Sequence, residues 1–292
     1  MAKLPPHLFG ILITTTGVII LSPDGLLIRL VSADSWTILF WRGLLFAIAI
    51  TGFYMTRRKQ SIIARLKVMG RRGMLAAALF TFSTIFFVLA ITHTSVANAL
   101  VIIATAPLFA ALFSRLFLNE IISRSTWIAI LVCVGGISLI FIGSLGGGSR
   151  HGDIFAIVCA FGLAGQITTV RHARDIDMVP SLALSGLLTA AVTLPFAAPL
   201  AINGSDFAYL ALLGLVIVPV AFGLITVGPR YITAPEVSLL MLLESIFGSF
   251  WVWLVLNETP RPETLAGGAL VITTLVIHSI LGYKRKPPLP LP

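Results

Sequence analysis

Charge is what this chain has least of. Lys, Arg, Asp and Glu together make up 11% of its 292 residues, while 58% are hydrophobic. A soluble domain carries about a quarter charged residues, so a water-facing surface of this size could not be covered. The solvent for most of the chain must be hydrocarbon. Cysteine is scarce as well. The two present, Cys133 and Cys159, lie inside apolar runs, which excludes a disulfide framework and any cysteine pair at metal-ligand spacing. Catalytic signatures are missing too: there is no Gly-x-Ser-x-Gly, no His-Glu-x-x-His and no phosphate-cradling glycine loop. The acids do not pair at catalytic spacing. The reading is therefore of a non-enzyme with no cofactor and no metal. A net charge of +9 might point to nucleic acid, but no soluble face presents it, and basic residues of a membrane protein belong in cytoplasmic loops.

Long apolar runs are what the chain does have. A helix needs about 20 apolar residues to cross a bilayer. Ten candidate runs occur, over 8–30, 35–56, 74–92, 95–118, 125–144, 152–170, 180–202, 206–228, 235–256 and 265–283. The expected fold is an all-α polytopic membrane protein with ten transmembrane helices. The first run is span-length and is expected to be retained, not cleaved as a signal peptide. Links are short, and Gly146-Gly147-Gly148-Ser149 forms a hinge near the midpoint. Seven basic residues between Arg57 and Arg72 mark one loop as cytoplasmic. With an even number of spans both termini are then cytoplasmic. Sixteen of the twenty basic residues fall on that side and three (Arg29, Arg150 and Arg261) on the other, with Arg42 inside a span.

The chain repeats itself. Ser95 to Glu120 lies without gaps on Thr233 to Glu258, and the copies close on Leu118-Asn119-Glu120 and Leu256-Asn257-Glu258. Five spans separate them. Two copies of an odd-span unit must insert with opposite orientation, and inverted repeats with a site between them are common in secondary transporters. This gives two five-helix repeats, residues 1–145 and 150–284, with a cytoplasmic tail at 285–292.

With these features the chain resembles the EamA-type transporters of the drug/metabolite transporter superfamily. The resemblance rests on the paired spans ending in Phe117-Leu118-Asn119-Glu120 and Val255-Leu256-Asn257-Glu258, on Phe40-Trp41-Arg42, and on Gly152-Asp153 opening the second half. Ser22-Pro23-Asp24-Gly25 with Trp41-Arg42 looks like the branch that includes bacterial exporters of aromatic and other amino acids. The resemblance implies a central cavity lined by spans one, three, four, six, eight and nine. It also implies export of amino acids or related metabolites across the bacterial inner membrane; export of drugs or lipophilic cations is the alternative. Small four-span relatives use a glutamate in their first helix, which this chain lacks, so coupling by that route is not carried over.

Ionisable groups inside hydrocarbon cost about 2.5–3.5 kcal/mol on insertion scales and mark functional candidates. Asp24 follows Pro23 in the first span and Arg42 lies at matching depth in the second. They are expected to pair, as a gate or headgroup site or as a structural ion pair. Glu244 is the deepest acid; the repeat sets it against Ala106. It binds a substrate ammonium or a proton, or it is held neutral in packing. Phe82, Phe86 and His93 share one stripe of the third span, as a cavity wall or as lipid-facing aromatics. Trp41, Asn98, Thr105 and Gln166 complete the candidates for substrate contact, against interfacial anchoring for Trp41 and interhelical hydrogen bonding for the others. Pro107, Pro195 and Pro219 are expected to kink their spans. The expected partners are a small-molecule substrate and membrane lipid, with the chain a monomer.

Overall fold

Helices dominate the computed structural model, which describes residues 5–59, 61–94, 96–141, 149–256 and 262–285. Among the described residues there is no strand. In chain order the α-helices are α1 (Pro6–Leu21), α2 (Asp24–Leu30), α3 (Ser35–Thr56), α4 (Ile62–His93), α5 (Val96–Ile103), α6 (Ala106–Phe117) and α7 (Arg124–Phe141). They continue as α8 (Arg150–His172), α9 (Pro180–Thr193), α10 (Gly204–Leu212), α11 (Val218–Val227), α12 (Ala234–Met241), α13 (Leu243–Leu256) and α14 (Pro262–Arg285). Among the described residues, seven helical stretches are long and apolar enough to cross a membrane, and α9 and most of α7 are shorter apolar helices. Large apolar side chains such as Leu12, Ile48, Leu75, Leu131, Phe161 and Val276 point outward. Hydrocarbon accepts such faces, and helices satisfy their own backbone groups within it.

Several apolar runs differ from the continuous spans expected of them, each for a backbone reason. The first run breaks at Ser22-Pro23. Proline offers no N–H, and Ser22 N–H turns back to the carbonyls of Val18 and Ile19. The third expected run lies in α4, which starts at Ile62, twelve residues before the expected Met74, so much of the basic loop is helical. Its two parts meet at Gly70, whose φ of 54° is tolerated by glycine because no Cβ meets the carbonyl. The run from Pro180 ends at Thr193, and Pro195 lies in the turn beyond it. Pro107 does not kink a continuous helix; it occupies the first turn of α6, where its missing N–H costs nothing. Ahead of Pro219 a π-helical turn, Leu213–Ile217, joins α10 to α11.

Packing repeats itself across the two halves of the chain. Helix α4 packs on α8 and α11 on α1; α3 packs on α9, α6 on α12 and α7 on α14. Exchanging the first half for the second converts this list into itself, as a two-fold relation requires. Two glycines meet where α3 crosses α9. A Cβ on Gly43 would sit 2.8 Å from the Gly186 carbonyl oxygen, and a Cβ on Gly186 would sit 2.6 Å from that of Gly43. Glycine here lets two backbones touch.

Candidate functional site

The break after Leu21 places Asp24 at the start of α2, and α3 returns alongside it. At the head of α3 the exposed carboxylate of Asp34 caps the helix, accepting from the N–H groups of Trp36 and Thr37. Its slight burial acts to raise its pKa, but the hydrogen bonds from Thr37 and Trp36 outweigh that and hold the carboxyl below its ordinary value. Two turns further on, Arg42 Nη2 donates to Asp24 Oδ2 at 2.6 Å. Both side chains are buried, and Asp24 Oδ1 and Arg42 Nε have no hydrogen-bond partner. The pair lines a cavity between the two halves.

Glu244 lines the same cavity, within Coulombic reach of both Asp24 and Arg42. It lies in the first turn of α13, just past a break at Leu242 that separates α13 from α12. Helix α4 contributes Phe80, Ser83, Thr84 and Phe87, a stripe at helical spacing. Ser83 Oγ donates to the Cys159 carbonyl of α8 at 3.2 Å, fixing the two helices at the cavity wall.

The apolar frame of the cavity is duplicated. Leu21 and Leu163 both line it, and as many residues separate Gly10 from Leu21 as Gly152 from Leu163. Ile103 and Met241 both line it and are matched by the sequence repeat. Each ends its helix at a break. Phe80 of α4 and Phe222 of α11 meet edge to face, with ring centroids 4.6 Å apart. Charge is not duplicated. Ala106 stands opposite Glu244 in the repeat, and in the second half Gln166 follows Leu163 at the interval by which Asp24 follows Leu21. Ser185 precedes Gly186 as Arg42 precedes Gly43. The ionisable groups thus gather on one pole of a nearly symmetric chamber.

The remaining candidates lie elsewhere. The rings of Phe82 and Phe86 pack at a tilt, and Phe86 and His93 both meet Phe155 of α8; this stripe is on a different face of α4 from the cavity, and Phe82 is 42% exposed. Trp41 donates its indole N–H to the Pro199 carbonyl and packs edge-on against Phe207. Thr105 donates to the Ile102 carbonyl at the break between α5 and α6. Gln166 is buried in α8 outside the cavity lining. The side chain of Asn98 lies outside the described residues, as do Asn257 and Glu258. Sequence reasoning missed Phe80, Ser83, Thr84, Phe87, Cys159 and Phe222. Extending the repeat along the whole chain would have paired Phe80 with Phe222.

Both ends of the bundle are bridged between the halves. At the end that carries the basic loop, Tyr54 donates to Asp177 at 2.6 Å and His7 Nε2 lies 3.2 Å from Glu236 Oε1. There too, Arg171 Nε donates to Glu120 Oε1 at 2.8 Å and its Nη1 to the Pro229 carbonyl. At the opposite end, Ser32 N–H donates to Asp206, Ala198 N–H to Thr37 Oγ1, and Thr94 Oγ1 to Asp153.

Outward apolar faces around a chamber that holds buried charge define a multi-pass helical membrane protein of the transporter class. Comparison gives the family: the chain belongs to the EamA-like transporter family, which matches it twice, over residues 8–142 and 150–280. It is 27% identical over 202 residues to the pseudopaline exporter CntI of Pseudomonas aeruginosa, covering 65% of this chain and 68% of that one. It is 25% identical over 187 residues to the uncharacterized transporter YdfC of Bacillus subtilis, covering 60% of this chain and 59% of that one. A protein of known crystal structure shares the fold at a TM-score of 0.78 and 16% identity, over 93% of this chain and 98% of that one.

Proposed function

We propose that the protein exports amino acids or related small metabolites from the cytoplasm across the bacterial inner membrane by alternating access. Ten crossings form two five-span repeats of opposite orientation, with both termini in the cytoplasm. The packing scheme that survives exchange of the halves supports this arrangement, as does the double family match. The basic stretch from Arg57 to Arg72 supports a cytoplasmic position for its end of the bundle. The observation that carries the reading is the set Asp24, Arg42 and Glu244 around one cavity between the halves. A zwitterion needs both signs of charge in its site, and the free Arg42 Nε and Asp24 Oδ1 offer a donor to a carboxylate and an acceptor to an ammonium. The likeness to a pseudopaline exporter favours a metabolite as cargo. An aromatic wall of Phe80, Phe87 and Phe222 favours lipophilic cations as the second reading, since aromatic faces attract cations.

Reconstitution tests it. Proteoliposomes loaded with unlabelled amino acids should take up at least one labelled amino acid faster than protein-free liposomes. Arg42→Gln should cut that rate at least about tenfold, the loss of roughly 1.4 kcal/mol or more of binding. A full amino-acid panel moving no faster than in protein-free liposomes sinks the amino acid reading, and movement of lipophilic cations instead would establish the second.

A further inference from the structure

One guanidinium faces two carboxylates in the chamber. The Asp24–Arg42 pair cancels itself, so Glu244, once ionised, leaves one negative charge in excess. Among the described residues lining the cavity, Cys159 is the one other titratable group, and the hydroxyls of Ser83 and Thr84 are neutral. The matching positions of the other half supply no cation, because Ser185, Gln166 and Ala106 stand there. Buried charge without a partner is costly, so such a chamber favours a cargo that brings the missing sign. Phe80 and Phe222 present rings to the same space, and their faces attract cations as well. Asp24, only 2% exposed, keeps Oδ1 free of any partner.

We infer that the cavity selects by charge for solutes carrying an ammonium and no net negative charge, with Glu244 as the residue that determines this specificity. This rests on the reading of the cavity as the transport site. Anionic metabolites of equal size are excluded, because they would add a second uncompensated negative charge. Amines, amino acid amides and cationic amino acids are preferred over neutral zwitterions.

Cys159 is a built-in reporter, since it lines the cavity. In a Cys133→Ala background, Cys159 is exposed in liposomes to three methanethiosulfonate reagents: trimethylammonium-ethyl (cationic), sulfonatoethyl (anionic) and hydroxyethyl (neutral). The thiolate attacks the reagent sulfur, a mixed disulfide forms and methanesulfinate leaves. Rates are followed by mass spectrometry, each reagent's rate is divided by its own rate with free 2-mercaptoethanol, which removes the intrinsic preference of a thiolate for the cationic reagent, and these normalised rates are compared. Charged clefts change local ion concentrations by about tenfold or more, so the cation should react at least about tenfold faster than the anion. Glu244→Gln and Asp24→Asn each remove the excess charge and should each bring the ratio close to one. Equal rates for cation and anion in the background protein, or a ratio unchanged in both variants, overturns the inference and leaves the transport reading standing. If even the neutral reagent fails to label Cys159, which is 2% exposed, the same rates are read at Thr84→Cys, which also lines the cavity; failure of the neutral reagent there too means that the cavity does not open to water, and the transport reading falls together with the inference.

Discussion

Among single residues, the Asp24–Arg42 pair has the largest predicted consequences. Both groups are buried, and removing one partner of a buried pair costs about 3–5 kcal/mol because the other charge is stranded. Arg42→Met should therefore lower the unfolding midpoint in detergent clearly more than the double replacement Asp24→Leu/Arg42→Met, which removes both charges. Equal destabilisation by the two would contradict the pair. Asp34 makes a smaller prediction with a definite sign. Its hydrogen bonds hold its carboxyl below the ordinary aspartate value, so its contribution is present above that value and is lost as pH falls through the depressed one. Asp34→Ala should cost about 1 kcal/mol at neutral pH, the usual worth of a helix cap. The gap in thermal midpoint between it and the parent should close on acidification below that depressed value. The pair of Asp24 and Arg42 was legible because depth along a helix follows from counting residues at about 1.5 Å each. The face of α4 was not. Phe82 and Phe86 obey helical spacing as well as Phe80 and Phe87 do, and in a helix that is apolar all round nothing local says which stripe meets lipid.

Helices owe their placement here to small residues and to breaks. Gly43 and Gly186 sit where α3 and α9 touch, each too close to the other's carbonyl for a side chain. Gly43→Ala should cost about 1–3 kcal/mol through overpacking, read as a lowered unfolding midpoint. Gly52 on the same helix has open space around it, so Gly52→Ala should not lower the midpoint and should raise it slightly, since alanine loses less backbone freedom in a helix. Helix existence was readable because apolar runs of span length have few other fates. The breaks were only half readable. Pro23 announces its own and Pro107 the one at Thr105, while that at Leu242 carries no sequence mark. At the basic end, Arg171 ties α8 to Glu120 and to the Pro229 carbonyl. Glu120→Gln should weaken that tie and raise hydrogen exchange over residues 171–177.

For the molecule as a whole, the controlling fact is duplication with unequal chemistry. The apolar frame of the chamber comes twice, from Leu21 with Leu163, Ile103 with Met241, and Phe80 with Phe222, and the charges come once. The Ser95–Glu120 repeat disclosed the duplication in one pair of spans. The rest was hidden, because apolar residues replace one another freely at lipid-facing positions and a two-fold relation needs only matching shape. Such a pair of halves can rock against each other about a fixed site. Under the alternating access proposed above, the bridges at both ends of the bundle are the contacts that rocking would break in turn. The most direct measurement joins the halves at one end. With Cys133 and Cys159 replaced by Ala, Tyr54→Cys and Asp177→Cys are linked by a short bifunctional thiosulfonate, and counterflow is measured before and after reduction. The account predicts that linking stops transport and that reduction restores it. Full transport by a completely linked protein would contradict it.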